Sequence, residues 1–301
     1  MKLLFTGSSG FLGKNIITML ENVFEIYTLG LSDNDNYKVD ISLDTPLLNQ
    51  SFDVILHAAG KAHSVPKTLK EEEEFYRINF EGTKNLCKAF EKSSLPKSFI
   101  FISSVAVYGK DEGIFIDENS PLLGNSPYAL SKIKAETFLV EWCKKNNIIL
   151  SILRPSLIAG QNPPGNLGLM INGIRTGKYL SVGNGKAQKS ILMAHDIATV
   201  IPLLINKGGT YNLCDNRHPS FKELEILIAN QLNKPRPKNI PYILAKLLAV
   251  IGDLLGKNAP INSKKLNKIT KSLTFSNEKI KRELNWEPAD VLSNFKISNI
   301  R

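Results

Sequence analysis

The strongest constraint on the fold is a run of short, alternating elements. The segments "KLLFTG" (2–7), "FEIYTLG" (24–30), "FDVILHAAG" (52–60), "SFIFISS" (98–104) and "IILSILRP" (148–155) are apolar runs of strand length. Between them lie stretches with helical spacing: "FLGKNIITMLEN" (11–22), the charged segment "EEEEFYRINFEGTKNLCKAFEKS" (71–93) and a region across 127–146. Continuous apolar runs belong to strands buried on both faces, and strand–helix–strand repetition implies parallel pairing, because parallel strands need a crossover. The expectation is an α/β chain with a doubly wound parallel sheet and helices on both faces. After about 160 the texture changes: "GQNPPGNLG" is loop-forming, and shorter elements such as "DIATVIPLLI" and "GGTYNLCD" follow. This predicts a large domain over 1–160, rejoined by about 190–215, and a smaller α/β part from 161–189 and 216–301.

The first turn of that pattern is "TGSSGFLGKN", which spaces Gly7, Gly10 and Gly13 between a strand and a helix. Small residues there let the backbone approach a pyrophosphate, and the helix N-terminus favours its negative charge. The large domain therefore reads as a Rossmann-type dinucleotide-binding unit. The carboxylate that holds the cofactor ribose is expected at the end of the second strand, in "YTLGLSDN". Gly30 stands at that position, Asp33 comes slightly late, and no arginine follows to pair a 2′-phosphate. NAD and NADP both stay open, with the balance towards NAD. Asp40, in "KVDIS", is a candidate for the adenine end or a surface turn residue.

The composition narrows the partners. A formal charge of +10 suits an anionic partner such as a phosphorylated small molecule. Lys and Arg are spread along the chain with no basic arm, so no nucleic-acid footprint is expected. Cys87, Cys143 and Cys214 are few, odd in number and far apart, which fits a reducing cytoplasm rather than a disulfide framework, and no metal site is expected. "LLFTG" turns glycine-rich too soon for a signal peptide. The most apolar stretch, "IPYILAKLLAVIGDLLG" (240–256), is interrupted by Lys246 and Asp253 and reads as a buried or interfacial helix, not a membrane span.

In "SPYALSK" (126–132), Tyr128 and Lys132 stand four apart, so on a helix they share a face. A free tyrosine titrates near pH ~10. A nearby ammonium, and the positive ring of an oxidised nicotinamide, would lower that value and make Tyr128 a base for a sugar or alcohol hydroxyl. Ser104 ends the preceding strand, where ligands of open α/β sheets gather, and could bond the same oxygen.

These residues resemble an extended short-chain dehydrogenase/reductase of the NAD-dependent epimerase/dehydratase family acting on nucleotide sugars. The matching stretches are "TGSSGFLG", "HAAG" (57–60), Asn79 in "INFEGTKNL", "SSVAVYG" (103–109), "YALSK" (128–132), "LRPSLIAG" (153–160) and "RELNWEP" (282–288), in the family's order over nearly the whole chain. The resemblance implies that Gly7, Gly10, Phe11, Leu12 and Gly13 hold the pyrophosphate and that Asp40 and Ile41 flank the adenine. It places Ala58, Ala59 and Gly60 beneath the cofactor, with Asn79 beside it. Ser103 and Ser104 bring the catalytic hydroxyl, Ser104 matching better; Tyr128 is the base, Lys132 its partner and ribose ligand, and Pro155 and Ser156 lie near the nicotinamide. Asn166, in "PPGNLG", matches a residue that contacts the substrate diphosphate, and Lys189, in "KAQKSILMAHDIA", stands where the family often has an arginine. His195 and Asp196 replace an acidic pair, with His195 a local helix-start residue. A homodimer through the Tyr128–Lys132 helix and the long helix before it is implied as well.

Dehydration needs an extra acid and base after the catalytic hydroxyl, and Val105 and Ala106 can carry no proton. What stays is 4-epimerisation of a UDP-hexose or UDP-N-acetylhexosamine, or reduction of a 4-keto nucleotide sugar. A non-sugar reductase and a non-catalytic dinucleotide-binding protein stand further off.

Overall fold

The computed structural model describes residues 1–255 and 261–297. Gly256, the end of the apolar stretch, and 298–301, the end of the expected C-terminal part, lie outside the described residues. The first half runs β1 (Lys2–Thr6), α1 (Phe11–Leu20), β2 (Glu25–Gly30), β3 (Tyr37–Lys38), β4 (Val54–His57), α2 (Leu69–Tyr76), α3 (Gly82–Lys92), β5 (Ser98–Ile102), β6 (Gly113–Ile116), α4 (Pro127–Lys145) and β7 (Ile149–Pro155). The second half runs β8 (Leu157–Ala159), α5 (Gly165–Arg175), β9 (Leu180–Val182), β10 (Ile191–Met193), α6 (Ala194–Leu204), β11 (Gly209–Leu213), α7 (Phe221–Gln231), β12 (Lys238–Ile240), α8 (Tyr242–Leu254), α9 (Ser263–Thr270), β13 (Leu273–Phe275), α10 (Glu278–Leu284) and α11 (Val291–Asn294).

Seven strands form one parallel sheet in the order β11-β7-β5-β4-β1-β2-β3. Alternate side chains of β1 face opposite layers, as the pleat requires. Leu3 and Phe5 pack with Ile16 of α1 and Ile197 and Ile201 of α6. Leu4 faces the other way, towards Leu86 and Phe90 of α3 and Leu139 and Trp142 of α4. Burying such a side chain fully contributes about 1.5–3 kcal/mol, so the two layers secure β1 at the centre. β4 lies on one side of β1 and β2 on the other, which makes the carboxyl end of β1 the switch point where open α/β sheets bind ligands. The later strands pair in twos: β8 with β10, β9 with β12, and β6 with β13.

The charged stretch 71–93 is not one regular helix. A π-helical turn, Arg77–Glu81, separates α2 from α3 and buries Asn79 within it. Such single widened turns recur at functional sites, where they re-aim a side chain.

Candidate functional site

At the carboxyl end of β1 the chain turns through Gly7 with φ +81°, and a Cβ there would lie 2.6 Å from the backbone nitrogen of Ala59. Glycine is required on both counts. The turn delivers Gly10 as the cap of α1, with no side-chain cap and no acidic residue in the first turn. Ser9 and Gly10 are exposed and Phe11 and Leu12 half-buried, so the open amide end of α1 meets solvent. It is a suitable cradle for a pyrophosphate.

The expectation that β2 ends without a carboxylate needs correction. Gly30 has no side chain, but the loop after β2 folds Asp35 into that space. A Cβ on Gly30 would lie 2.6 Å from Asp35 Oδ2. Asp35 accepts hydrogen bonds from Ser8 Oγ in the glycine loop (3.1 Å) and from Ser32 N (2.9 Å). Asp33 points elsewhere, exposed and paired with Lys38. Asp40 sits at a turn, its Oδ1 accepting from Ser42 N at 2.9 Å, and Ile41 is buried against Gly82.

The helix α4 explains the next group. Ser126 caps it, accepting from Ala129 N at 3.2 Å, with Pro127 in the first turn, where a missing N–H costs nothing. Its buried stripe includes Lys132, Ala135, Glu136, Leu139 and Cys143 at helical spacing, so Lys132 is driven into the protein by its neighbours. Lys132 Nζ donates to Ile102 O at 2.9 Å and lies 4.6 Å from the centre of the Phe101 ring. Burial pushes its ammonium down to about 8, against the opposing charge of Glu136. Tyr128 is half-buried one turn earlier, with its ring edge-on to Phe75. Burial raises its phenol above the ordinary range and a hydrogen bond with Ser104 lowers it. The net direction is therefore upwards, opposite to the expected lowering by Lys132, whose ammonium is engaged with the Ile102 carbonyl. Ser104 Oγ also accepts from Ala106 N at 3.1 Å, which holds the serine at the head of the short helical turn Val105–Tyr108.

Ser103 is committed elsewhere. It is buried and donates to Glu136, whose carboxylate also binds Arg154 through Nε (3.1 Å) and Nη2 (2.6 Å). Arg154 in turn donates to Tyr108 Oη at 3.0 Å, and Tyr108 donates to Asn212 at 2.7 Å. This buried network, which motif reading missed, fixes β5, α4 and β7 beneath the site.

Asn79 meets the site from α2–α3. Its Oδ1 accepts from Lys61 N at 2.6 Å, and its Nδ2 donates to Ser131 at 2.9 Å. A Cβ on the exposed Gly60 would lie 2.9 Å from Asn79 Oδ1 and 3.3 Å from Lys132 Nζ, so Gly60, Asn79 and Lys132 converge. Ala58 and Ala59 are half-buried beside them. Below, His57 is fully buried between Thr6 Oγ1 (2.7 Å) and Thr83 Oγ1 (2.9 Å). Thr83 gives its proton to Asn79 O, so it accepts from His57 Nε2 and the ring accepts from Thr6.

Pro155 and Ser156 are buried at the end of β7, and Ser156 Oγ has no hydrogen-bond partner. An unpaired buried hydroxyl is costly and points to a polar group from a ligand. With the open end of α1, Asp35 at the ribose position and the glycine turn, these residues fit a dinucleotide.

Asn166 is exposed in the first turn of α5, and its neighbour Gly165 abuts His63 in the loop after Gly60. Lys189 is half-buried and its strand bridges to Leu273. Burial pushes its ammonium down to about 8, with Asp111 opposing and Lys268 adding. The charges of Asp111 and Lys268 therefore both bear on Lys189. His195 borders Asp196, whose carboxyl is pushed up to about 6 by burial and which accepts from Ala289 N at 3.2 Å.

The family described as "NAD dependent epimerase/dehydratase family" matches residues 3–214. An Escherichia coli O157:H7 protein named N-acetyl-alpha-D-glucosaminyl-diphospho-ditrans,octacis-undecaprenol 4-epimerase is 30% identical over 92% of this chain and 88% of its own. A UDP-glucose 4-epimerase from Vibrio cholerae is 28% identical over 96% and 92%. The solved structure of a UDP-glucose 4-epimerase from Thermotoga maritima superposes with a TM-score of 0.75 at 19% identity, covering 99% of this chain and 97% of that one, a likeness of fold. Relatives in the same set include epimerases, dehydratases and reductases of sugar nucleotides. By its sequence, its parallel sheet and the cradle at the end of β1, the chain belongs to the NAD-dependent epimerase/dehydratase family of extended short-chain dehydrogenases/reductases.

Proposed function

We propose that the chain is a 4-epimerase of sugars carried on a diphosphate, with UDP-hexose or UDP-N-acetylhexosamine as the soluble substrate class. The observation that supports this reading is the placing of Ser104 beside Tyr128, with Lys132 buried one turn further along α4 against the Ile102 carbonyl and no acid or base after Ser104. Val105 and Ala106 supply no proton, which argues against dehydration. Bound NAD would accept a hydride from the sugar C4 and return it. Gly7, Gly10, Phe11, Leu12 and Gly13 would hold its pyrophosphate, Asp35 the ribose hydroxyls and Lys132 the other ribose.

Tyr128 Oη takes the proton of the C4 hydroxyl and gives it back to the epimer. Ser104 donates to the same oxygen and stabilises the phenolate. Lys132 places a buried positive charge behind the pair, and Glu136 keeps that charge in place. Lys189 and Asn166 grip the diphosphate while the keto sugar turns over. The filled position at Gly30 favours NAD, since a carboxylate repels a 2′-phosphate. This weakens the case for a 4-keto reductase using NADPH.

Tyr128→Phe tests the assignment. Loss of a positioned proton-transfer group costs about 10²–10⁴-fold in turnover. NADH binding should persist in the variant. Retained turnover would remove Tyr128 as the base.

A further inference from the structure

Helix α8 turns the wrong residues inward. Its buried positions are Ala245, Ala249 and Gly252, packed near Val182 of β9 and Leu266 of α9. At 3.6 residues per turn, the opposite side carries Ile243, Leu247, Val250, Ile251 and Leu254. These are 75%, 60%, 50%, 54% and 85% exposed. A soluble monomer rarely leaves so large an apolar face uncovered. Of the two expectations, buried or interfacial, the exposed face departs from the first: the small face docks on the protein and the large apolar face looks outward. Thirteen residues span about 20 Å, short of the ~30 Å hydrocarbon core, so α8 can lie in a membrane surface and cannot cross it.

The charge around this face selects its occupant. Between 234 and 268 the sequence carries eight Lys and Arg and one acidic residue, Asp253. Asp253 is exposed and held by α9, accepting from Ser263 N at 3.1 Å. Lys234, Arg236 and Lys238 lead into α8, Lys246 lies on it, and Lys264 and Lys268 lie on α9, all of them exposed. A second copy would bring the same cations against these; an anionic lipid surface complements them. The helix also adjoins the site. α9 packs against α8 and runs into β13, where Leu273 bridges to Lys189, and Lys268 of α9 acts on the Lys189 charge.

We propose that α8 docks this enzyme on an anionic phospholipid bilayer and that the diphosphate sugar reaching Lys189 is borne by a membrane lipid. The second clause rests on the reading of Lys189 as a diphosphate ligand.

The test is flotation of the full chain with vesicles of phosphatidylcholine alone and of phosphatidylcholine mixed with phosphatidylglycerol. The wild type should float with the mixed vesicles and release at high salt. Leu247→Ser with Leu254→Ser alters exposed side chains, so the melting temperature should hold while vesicle binding falls roughly tenfold or more. No flotation of the wild type with mixed vesicles overturns the docking. So does a variant that still floats, or a wild-type dimer that becomes monomeric in the variant without vesicle binding. For the substrate, a polyprenyl-diphosphate N-acetylhexosamine embedded in the vesicles should turn over more slowly with the variant, while UDP-sugar turnover stays unchanged. Flotation with turnover of the UDP-sugar but not of the lipid-borne sugar would strike the second clause, and no turnover of either sugar would strike the epimerase reading; both leave the docking standing.

Discussion

Replacing Asp35 with asparagine isolates the role assigned to the carboxylate above Gly30. The substitution keeps the size; its amide oxygen can still accept from Ser32 N, and its Nδ2 can donate to the rotatable Ser8 hydroxyl, so folding should change little. What it removes is charge. A hydrogen bond to a charged group contributes about 1.5–3 kcal/mol, so losing the ribose hydroxyls' charged acceptor should weaken NADH binding roughly 10- to 150-fold. The opposite effect is expected for NADPH. A unit charge about 4 Å from the 2′-phosphate, at an effective dielectric of about 20, repels it by about 4 kcal/mol, an upper bound at this half-buried position. Asp35→Asn lifts that repulsion, so NADPH should bind more tightly as NADH binds less tightly. Fluorescence titration of both dinucleotides at one fixed ionic strength reads the ratio. Asp33→Asn is the control, since Asp33 is exposed and paired with Lys38, and its ratio should match the wild type. An unchanged ratio in Asp35→Asn, or a shift in Asp33→Asn, would refute the assignment.

Three other expectations follow from the buried groups and the helices. His57 is pushed down to about 3 from 6.5, first by burial and then by the Lys132 charge. Between those values the unfolded chain holds a proton that the native one does not, so stability falls as pH drops through this window, by about 1.4 kcal/mol per unit from this group. Urea titrations from pH 7 downward should show that slope, and His57→Gln should flatten it. Glu136→Gln leaves the Arg154 guanidinium buried beside a neutral amide and should cost about 3–5 kcal/mol in urea unfolding; a cost under about 1 kcal/mol would contradict the load placed on that pair. A homodimer through α3 and α4 is expected from the resemblance, and a monomeric mass in solution scattering would refute it.

Most of the sheet was legible because its strands are continuous apolar runs between glycine, proline and helical segments. "KLLFTG", "FDVILHAAG" and "SFIFISS" became β1, β4 and β5 with ends trimmed by a few residues. The glycine loop and the Tyr128–Lys132 helix were legible because both chemistries depend on spacing along one element. Asp35 was not, since it is delivered by a loop. Asn36 accepts from Thr28 N at 2.8 Å and folds that loop back, so a residue five positions after Gly30 occupies its space. The two serines were separable only in three dimensions: Ser103 points into the Glu136–Arg154 network and Ser104 towards Tyr128. The facing of α8 was also hidden, because apolar content does not reveal which side of a helix a neighbour covers.

Epimerisation at C4 proceeds without net redox change, and that is what most needs testing. The direct measurement follows the anomeric protons of UDP-N-acetylglucosamine and UDP-glucose by NMR, with purified protein and NAD and no added reductant. A polyprenyl-diphosphate N-acetylglucosamine in detergent is followed in parallel. At least one of the three should convert to its 4-epimer and stop at a mixture, with no accumulation of NADH and no conversion by Tyr128→Phe. No epimer from any of them, together with consumption of NADPH when a 4-keto nucleotide sugar is supplied, would contradict it.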